Sequence, residues 1–205
     1  TVGILAIDPS SPFSGGAVLG DRIRMQRHAA DSGVYIRSLG SRGAHGGLST
    51  ATRDLVRLYQ AFGFDEVIVE TVGVGQTELD IMQLADTTVV VLVPEAGDTI
   101  QTMKAGLTEI ADLFVVNKCD RPGASAMVAA LQQMIELGEG VQQVQDHDAQ
   151  HRALPVRGST SSPRTDSWHI QVLQTTATKG TGVAELWQAV DAHRAWLKQQ
   201  PADPD

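Results

Sequence analysis

Asn117, Lys118 and Asp120 stand in a tight group directly after the apolar run Leu113–Val116, and the chain then turns on Pro122-Gly123. An apolar, β-branched run that ends in turn formers reads as a buried strand entering a loop. Asn117 and Asp120 then fall at the strand's C-terminal end, where open α/β sheets hold their ligands. A carboxylate at that place is acceptor-only and can take two N–H bonds from the N1 and N2 edge of a guanine. The Asn amide can serve the other edge of the base or brace the loop. A strand followed by an ordinary polar turn explains the same residues without a ligand.

Three further strand ends carry polar or turn-forming residues: Asp8 after "GILAI", Glu70 after "EVIV" and Pro94 after "TVVVLV". In a parallel sheet all four ends share one edge. Asp8 can also be read as an N-cap or an Asx-turn before Pro9. Glu70, followed by Thr-Val-Gly-Val-Gly, stands where an acidic residue can reach Mg²⁺ directly or through water. Gly73 and Gly75 permit close backbone approach to a phosphate, or a hinge. Gly15, Gly16 and Gly20 surround a prospective helix start, with Asp21 at a cap position. "TTATKGTG", residues 175–182, can close over a base with backbone N–H groups.

The elements that must position these residues alternate. Short apolar runs at Val2–Ile7, Val34–Ile36, Glu66–Val69, Thr88–Val93, Leu113–Val116 and Ile170–Leu173 read as strands. Helical patterns cover Leu48–Phe62, Glu78–Leu84, Ile100–Glu109, Ala124–Leu137 and Val183–Leu197. Several strands are apolar throughout, as expected when both faces of a parallel sheet are covered. The class is α/β, a mostly parallel sheet flanked by helices with right-handed crossovers. Residues 138–168 break the rhythm with a long polar segment. Within it, His147 and His151 sit four apart beside Asp146 and Asp148, a spacing that could present two metal ligands on a helix. No convincing third ligand accompanies them, and a solvated surface segment is the simpler reading.

The chain's 205 residues suffice for one sizeable core, and 42% hydrophobic with 20% charged residues describe an ordinary globular protein. A net charge of −8 and only four lysines argue against a nucleic-acid binder. No apolar run reaches the roughly 18–20 residues of a membrane span. Cys119 is the single cysteine, so no intramolecular disulfide can form, and no secretory leader is visible; the cytoplasm is the expected compartment. A start on Thr1 that runs straight into "VGILAID" reads as a cut inside a domain.

"LAIDPSSPFSGGAVLGDRIRM", "IRSLGSRGAHGGLSTAT", "VETVGVGQTELD", "PEAGDTIQTMKAGLTEIAD" and "VVNKCD" resemble, in order and spacing, the MeaB/ArgK-type G proteins. These are SIMIBI-class P-loop NTPases that accompany adenosylcobalamin-dependent methylmalonyl-CoA mutase. The resemblance is dense from residue 2 to about 120 and resumes at about 170–197. It implies a chaperone that binds GTP/GDP and hydrolyses GTP, gates adenosylcobalamin loading and protects the mutase. Adenosylcobalamin would be met only through that partner. Asn117, Lys118 and Asp120, with Thr176, Ala177 and Thr178, would bind the nucleotide's base. Asp8, Asp21 and Glu70 would lie in the Mg²⁺ shell, with Asp21 and Glu70 catalytic. Gly73, Gly75 and Gln76 would form one switch, and Asp98, Gln101 and Lys104 would carry nucleotide state to the mutase.

Two departures stand against the resemblance. No Gly-Lys pair occurs in the sequence, so the motif G-x-x-x-x-G-K-[ST], whose backbone N–H groups and lysine cradle the β- and γ-phosphates, is absent. In the family that loop immediately precedes the strand beginning here at Val2. The helical arm through which family members form homodimers is not found before the closing "QQPADPD". The expected organisation is a partial G domain over 1–200, with 138–168 as an insertion and 201–205 as a tail. Lacking its phosphate cradle and the P-loop strand beside Val2–Ile7, the chain is expected to bind nucleotide poorly, expose an apolar edge or face, and aggregate. Two alternatives remain: a nickel-delivering relative of the same class, disfavoured by sparse histidines and one cysteine, and a non-catalytic interaction module that binds no nucleotide.

Overall fold

The computed structural model describes residues 1–8, 25–28, 30–40, 50–71, 81, 83–94, 110–149 and 168–200. They fall into two compact units, Thr1–Ala85 and Asp86–Asp205. Each contains a three-stranded parallel sheet among its described residues.

In the first unit, β1 (Val2–Asp8) lies between β2 (Val34–Gly40) and β3 (Glu66–Thr71). The registers pair Val2 with Val34 on one side and with Glu66 on the other. β1 is therefore hydrogen-bonded along both edges, so the open edge expected beside Val2–Ile7 is not on this strand. Half-exposed apolar side chains occur instead on β3, at Ile68, and on the second unit's β4 (Val89–Leu92), at Val91. Helix α1 (Thr50–Ala61) packs on β3 and buries Thr52, Val56 and Tyr59, a spacing of four and three that defines one helical face. Tyr59 also explains a glycine. A Cβ on Gly3 would lie 2.5 Å from the ring's Cδ2, so only a bare backbone lets β1 approach this aromatic. Tyr35 and Phe64 complete the cluster, with Tyr35 edge-on to Tyr59 at 5.7 Å.

In the second unit, β5 (Leu113–Val116) is central between β4 and β6 (Gln171–Gln174). All four of its residues are buried. Because neighbouring strand residues face opposite sides, this means that both faces are covered. Helices α2 (Ala124–Ala149) and α3 (Val183–Leu197) both pack on β5 and β6. α2 contributes Ala124, Met127, Val128, Leu131 and Ile135, and α3 contributes Ala189 and His193.

The N-terminal end of this sheet is tied by polar groups. The Asp112 carboxylate accepts the Thr88 N–H at 2.6 Å and lies 3.5 Å from His193 Nε2. Thr87 Oγ1 is hydrogen-bonded to His193 Nδ1 at 2.9 Å, and Trp168 Nε1 donates to the Asp112 carbonyl at 2.9 Å. The His193, Trp168 and Trp196 rings form a mutual cluster, with His193 4.7 Å from Trp168 and 5.6 Å from Trp196, and the two indoles 5.8 Å apart. One clasp thus joins the starts of β4 and β5, the approach to β6, and α3.

Three sequence expectations change. The strand read as Glu66–Val69 runs to Thr71, so Glu70 lies inside β3 rather than after it, because its backbone keeps pairing with Ala6. The strand over Val34–Ile36 continues to Gly40 because Arg37 and Ser38 keep pairing with Leu5 and Ala6. The helix read as ending at Leu137 runs on to Ala149, so the first part of the supposed insertion is helical. A formed helix adds one hydrogen bond per residue fixed, and it can continue without an apolar stripe to announce it. Residues 150–167, with His151, lie outside the described residues, as do the expected helices at Glu78–Leu84 and Ile100–Glu109 apart from residues 81, 83 and 84.

Candidate functional site

The buried strand β5 delivers its chain to Asn117, and hydrogen bonds then fix that residue from two directions. Its N–H donates to the Leu92 carbonyl of β4 at 2.8 Å. Its side-chain Oδ1 accepts both the Thr175 hydroxyl and the Ala177 N–H, each at 3.1 Å. Asn117 therefore braces the loop after β6, one of the two roles its type allowed. Lys118 follows at φ +59°, in the left-handed region, a conformation costing about 1–2 kcal/mol for a side-chain-bearing residue. It is held there by its neighbours: Cys119 N–H donates to the Thr175 carbonyl at 3.0 Å, and Arg121 N–H to Lys118's own carbonyl at 3.0 Å. Cys119 is half-buried, and its thiol donates to the Val116 carbonyl at 3.0 Å.

Asp120 reaches the rim of this loop, and its Oδ2 lies 3.1 Å from Lys179 Nζ. The hydrogen bond from Lys179, more than any other influence, holds the Asp120 carboxyl below the usual aspartate value. Thr176 is buried, whereas Ala177 and Thr178 are exposed. A short 3-10 turn over Ala177–Lys179 carries these residues, and Thr176 bridges to Thr181 across its base. Gly182, at φ +75°, closes the loop into α3. A Cβ there would fall 2.0 Å from the Gln174 carbonyl oxygen, so this contact excludes any side chain. Pro94, beyond β4, lies beside the turn as well, 3.7 Å from where a Cβ on Gly123 would project.

Within the second unit, then, the structure brings Asn117, Asp120, Thr176, Ala177, Thr178 and Pro94 to the C-terminal end of one sheet. Sequence reading missed Lys179 as the counter-ion of Asp120 and Thr175 as a partner of Asn117. The adjacent positions in "TTATKG" were the only signal, because the pairing spans about sixty residues of chain.

In the first unit, Asp8 and Glu70 occupy the C-terminal ends of neighbouring parallel strands. Glu70 pairs with Ala6, and Asp8 closes β1 two positions beyond Ala6. Glu70 is exposed. Among the described residues no group of three or more His, Cys, Asp or Glu could hold a metal by itself. Asp21, Gly73, Gly75, Gln76, Asp98, Gln101 and Lys104 lie outside the described residues.

The family model described as methylmalonyl-CoA mutase-associated GTPase MeaB matches residues 1–203. The chain belongs to the MeaB family. A protein of Pyrococcus abyssi named as a GTPase is 46% identical over 97% of this MeaB-family chain and 55% of its own length. The GTPase ArgK of Escherichia coli is 36% identical over 92% of the chain and 51% of its own length. Among solved structures, a LAO/AO transport system kinase superposes with a TM-score of 0.60 at 27% identity, covering 96% of this chain and 50% of that one. The MeaB-family chain thus spans about half the length of the curated relatives it matches. The α/β class, with parallel sheets flanked by helices, agrees with this P-loop GTPase relationship.

Proposed function

We propose that this chain is the guanine-recognising part of a GTPase that gates adenosylcobalamin loading into a methylmalonyl-CoA mutase and protects that enzyme. The observation that carries the reading is the rim formed by Asn117, Asp120 and Ala177, where a braced loop sets a carboxylate beside exposed backbone. Asp120 would accept the N1 and N2 protons of guanine through both oxygens, and Asn117 would keep the Ala177–Thr178 segment over the base. Lys118, exposed and fixed in a left-handed turn, would flank the base with its aliphatic stem.

Asp8, Asp21 and Glu70 would hold a Mg²⁺, which when bound neutralises charge developing on the transferring phosphoryl group. Asp21 and Glu70 would also orient the water that attacks in line. Gly73, Gly75 and Gln76, with Asp98, Gln101 and Lys104, would order differently with GTP and GDP and so report nucleotide state to the mutase. Family membership supports the GTPase class. The cobalamin-loading role and a homodimeric assembly are this reading's extensions of it.

The test is base exchange at Asp120 in the protein expressed from its complete reading frame. Asp120→Asn should weaken GDP binding by about ten- to hundredfold, the usual loss for a hydrogen bond to a charged group, and should improve xanthosine diphosphate binding. Calorimetry showing unchanged GDP affinity would remove Asp120 from the base site.

A further inference from the structure

We propose that Lys179 is a built-in competitor for Asp120, its ammonium contending with the base for the Oδ2 of that carboxylate. This rests on the guanine reading of the site and adds a control element to it. The bidentate acceptance of guanine N1–H and N2–H requires both Asp120 oxygens, yet Oδ2 is already 3.1 Å from Lys179 Nζ. The same 3-10 turn carries both Lys179 and Ala177, the residue whose N–H is engaged by Asn117 Oδ1. Asp120 Oδ2 and the Ala177 N–H are thus both engaged by partners from the loops themselves.

The geometry lets one half of this arrangement move while the other stays fixed. The Lys179 backbone is anchored, its N–H donating to the Thr176 carbonyl at 2.8 Å, while Gly180 N–H donates to the Ala177 carbonyl at 3.2 Å. Asn117 Oδ1 is held by two donors at 3.1 Å, and its contact with the Thr175 hydroxyl is partly buried. The ion pair, by contrast, is open to solvent, with side-chain exposures of 63% for Lys179 and 41% for Asp120. A long lysine stem at such exposure can swing aside without disturbing the turn. The pair also holds the Asp120 carboxyl below its usual value, with the Lys179 hydrogen bond as the main cause. An exposed pair of this kind is weak, so it tunes affinity rather than blocking entry.

The experiment compares GDP binding to the protein from its complete reading frame with binding to Lys179→Met, Lys179→Gln and Lys179→Arg, each made both with and without Asp120→Asn. Removing the charge should tighten GDP binding about two- to fivefold at low salt, the range expected of an exposed ion pair. Lys179→Arg should behave as the parent, and added KCl should close the gap as it screens the pair. In the nucleotide-free protein, the Asp120 carboxyl titration followed by NMR should rise on Lys179→Met. GDP binding that depends on Asp120 but is unchanged or weakened by Met and Gln at position 179 would overturn the competitor alone, as would a carboxyl titration that does not move. GDP binding that ignores Asp120, or no GDP binding in any variant, would overturn the guanine reading and the competitor with it.

Discussion

The two units use the same motif, three parallel strands with helical cover, and finish it differently. In the second, every residue of the central strand β5 is buried, α2 and α3 both pack on it, and the Asp112–His193 clasp ties its N-terminal end. In the first, the central strand β1 buries Leu5, Ala6 and Ile7 but leaves Val2 and Ile4 only partly covered, while the edge strands of both units expose an apolar side chain, Ile68 on β3 and Val91 on β4. The lesson concerns the placement of site residues. A loop that leaves a strand locked on both faces can hold a left-handed lysine and a double acceptor such as Asn117 in one geometry. Precision at the candidate base site is a consequence of burial behind it.

The aromatic residues allow the units to be followed separately. The three tryptophans, 168, 187 and 196, all belong to the second unit, and the two tyrosines, 35 and 59, to the first. Phe114→Ala should have the largest effect, about 3–5 kcal/mol, because it empties a fully buried site. Ile68→Ala on half-exposed β3 should cost about 1 kcal/mol or less. Denaturant midpoints read by tryptophan fluorescence for the first variant and tyrosine signals for the second check the contrast; equal losses would erase it.

Glycine substitutions sharpen the same contrast at the next scale. Gly63→Ala places a side chain at φ +78° with nothing within 4 Å, so only the left-handed backbone resists it, by about 1 kcal/mol. Gly182→Ala adds a 2.0 Å collision with the Gln174 carbonyl to the same strain, and should cost on the order of 3 kcal/mol. Matching thermal shifts in the two variants would show that the loop entering α3 is looser than its geometry implies.

The two remaining effects are pH-dependent and opposite in sign. Burial, more than the neighbouring Tyr35, raises Tyr59 above its ordinary value of 10.0. The unfolded chain therefore ionises first, and stability that is full below pH 10.0 is lost as pH rises through the raised value. Its hydroxyl finds no hydrogen-bond partner among the described residues, so Tyr59→Phe should leave neutral-pH stability nearly unchanged and remove that alkaline loss. Tyrosine absorbance during alkaline unfolding gives the readout, and a variant that unfolds at the parent's pH would refute it.

The smallest effect comes from Asp120, whose lowered pKa contributes stability above its ordinary value of 3.8, lost as pH falls through the folded value. Lys179→Met should therefore differ slightly from the parent at neutral pH, and the difference should vanish in acid and in high salt. A difference that persists under both conditions would mean that Lys179 contributes through packing instead.

Local pattern made much of this molecule legible in the sequence. Val183–Leu197 is helical over the range its periodicity implied, Leu113–Val116 is the buried strand its apolar run implied, and Asn117 through Asp120 follow at its end. These features depend on residues a few positions apart, which is the scale that periodicity and turn chemistry encode. Strand ends were less well marked: Arg37 and Ser38 sit inside β2 because their backbones pair with β1, a fact their side chains do not announce. The family, too, was readable from motif order alone.

Only the tertiary structure decided which distant residues meet. It divided the strands between two sheets, set Tyr59 on Gly3, joined Asp112 to His193, and put Lys179 against Asp120. Each of these contacts closes a long stretch of chain, and its gain comes from burial or charge complementarity between segments that no local pattern links. The sequence by itself determined the elements and the chemistry available at their ends. The fold selected the partners, because that selection depends on how helices and strands far apart in sequence cover one another.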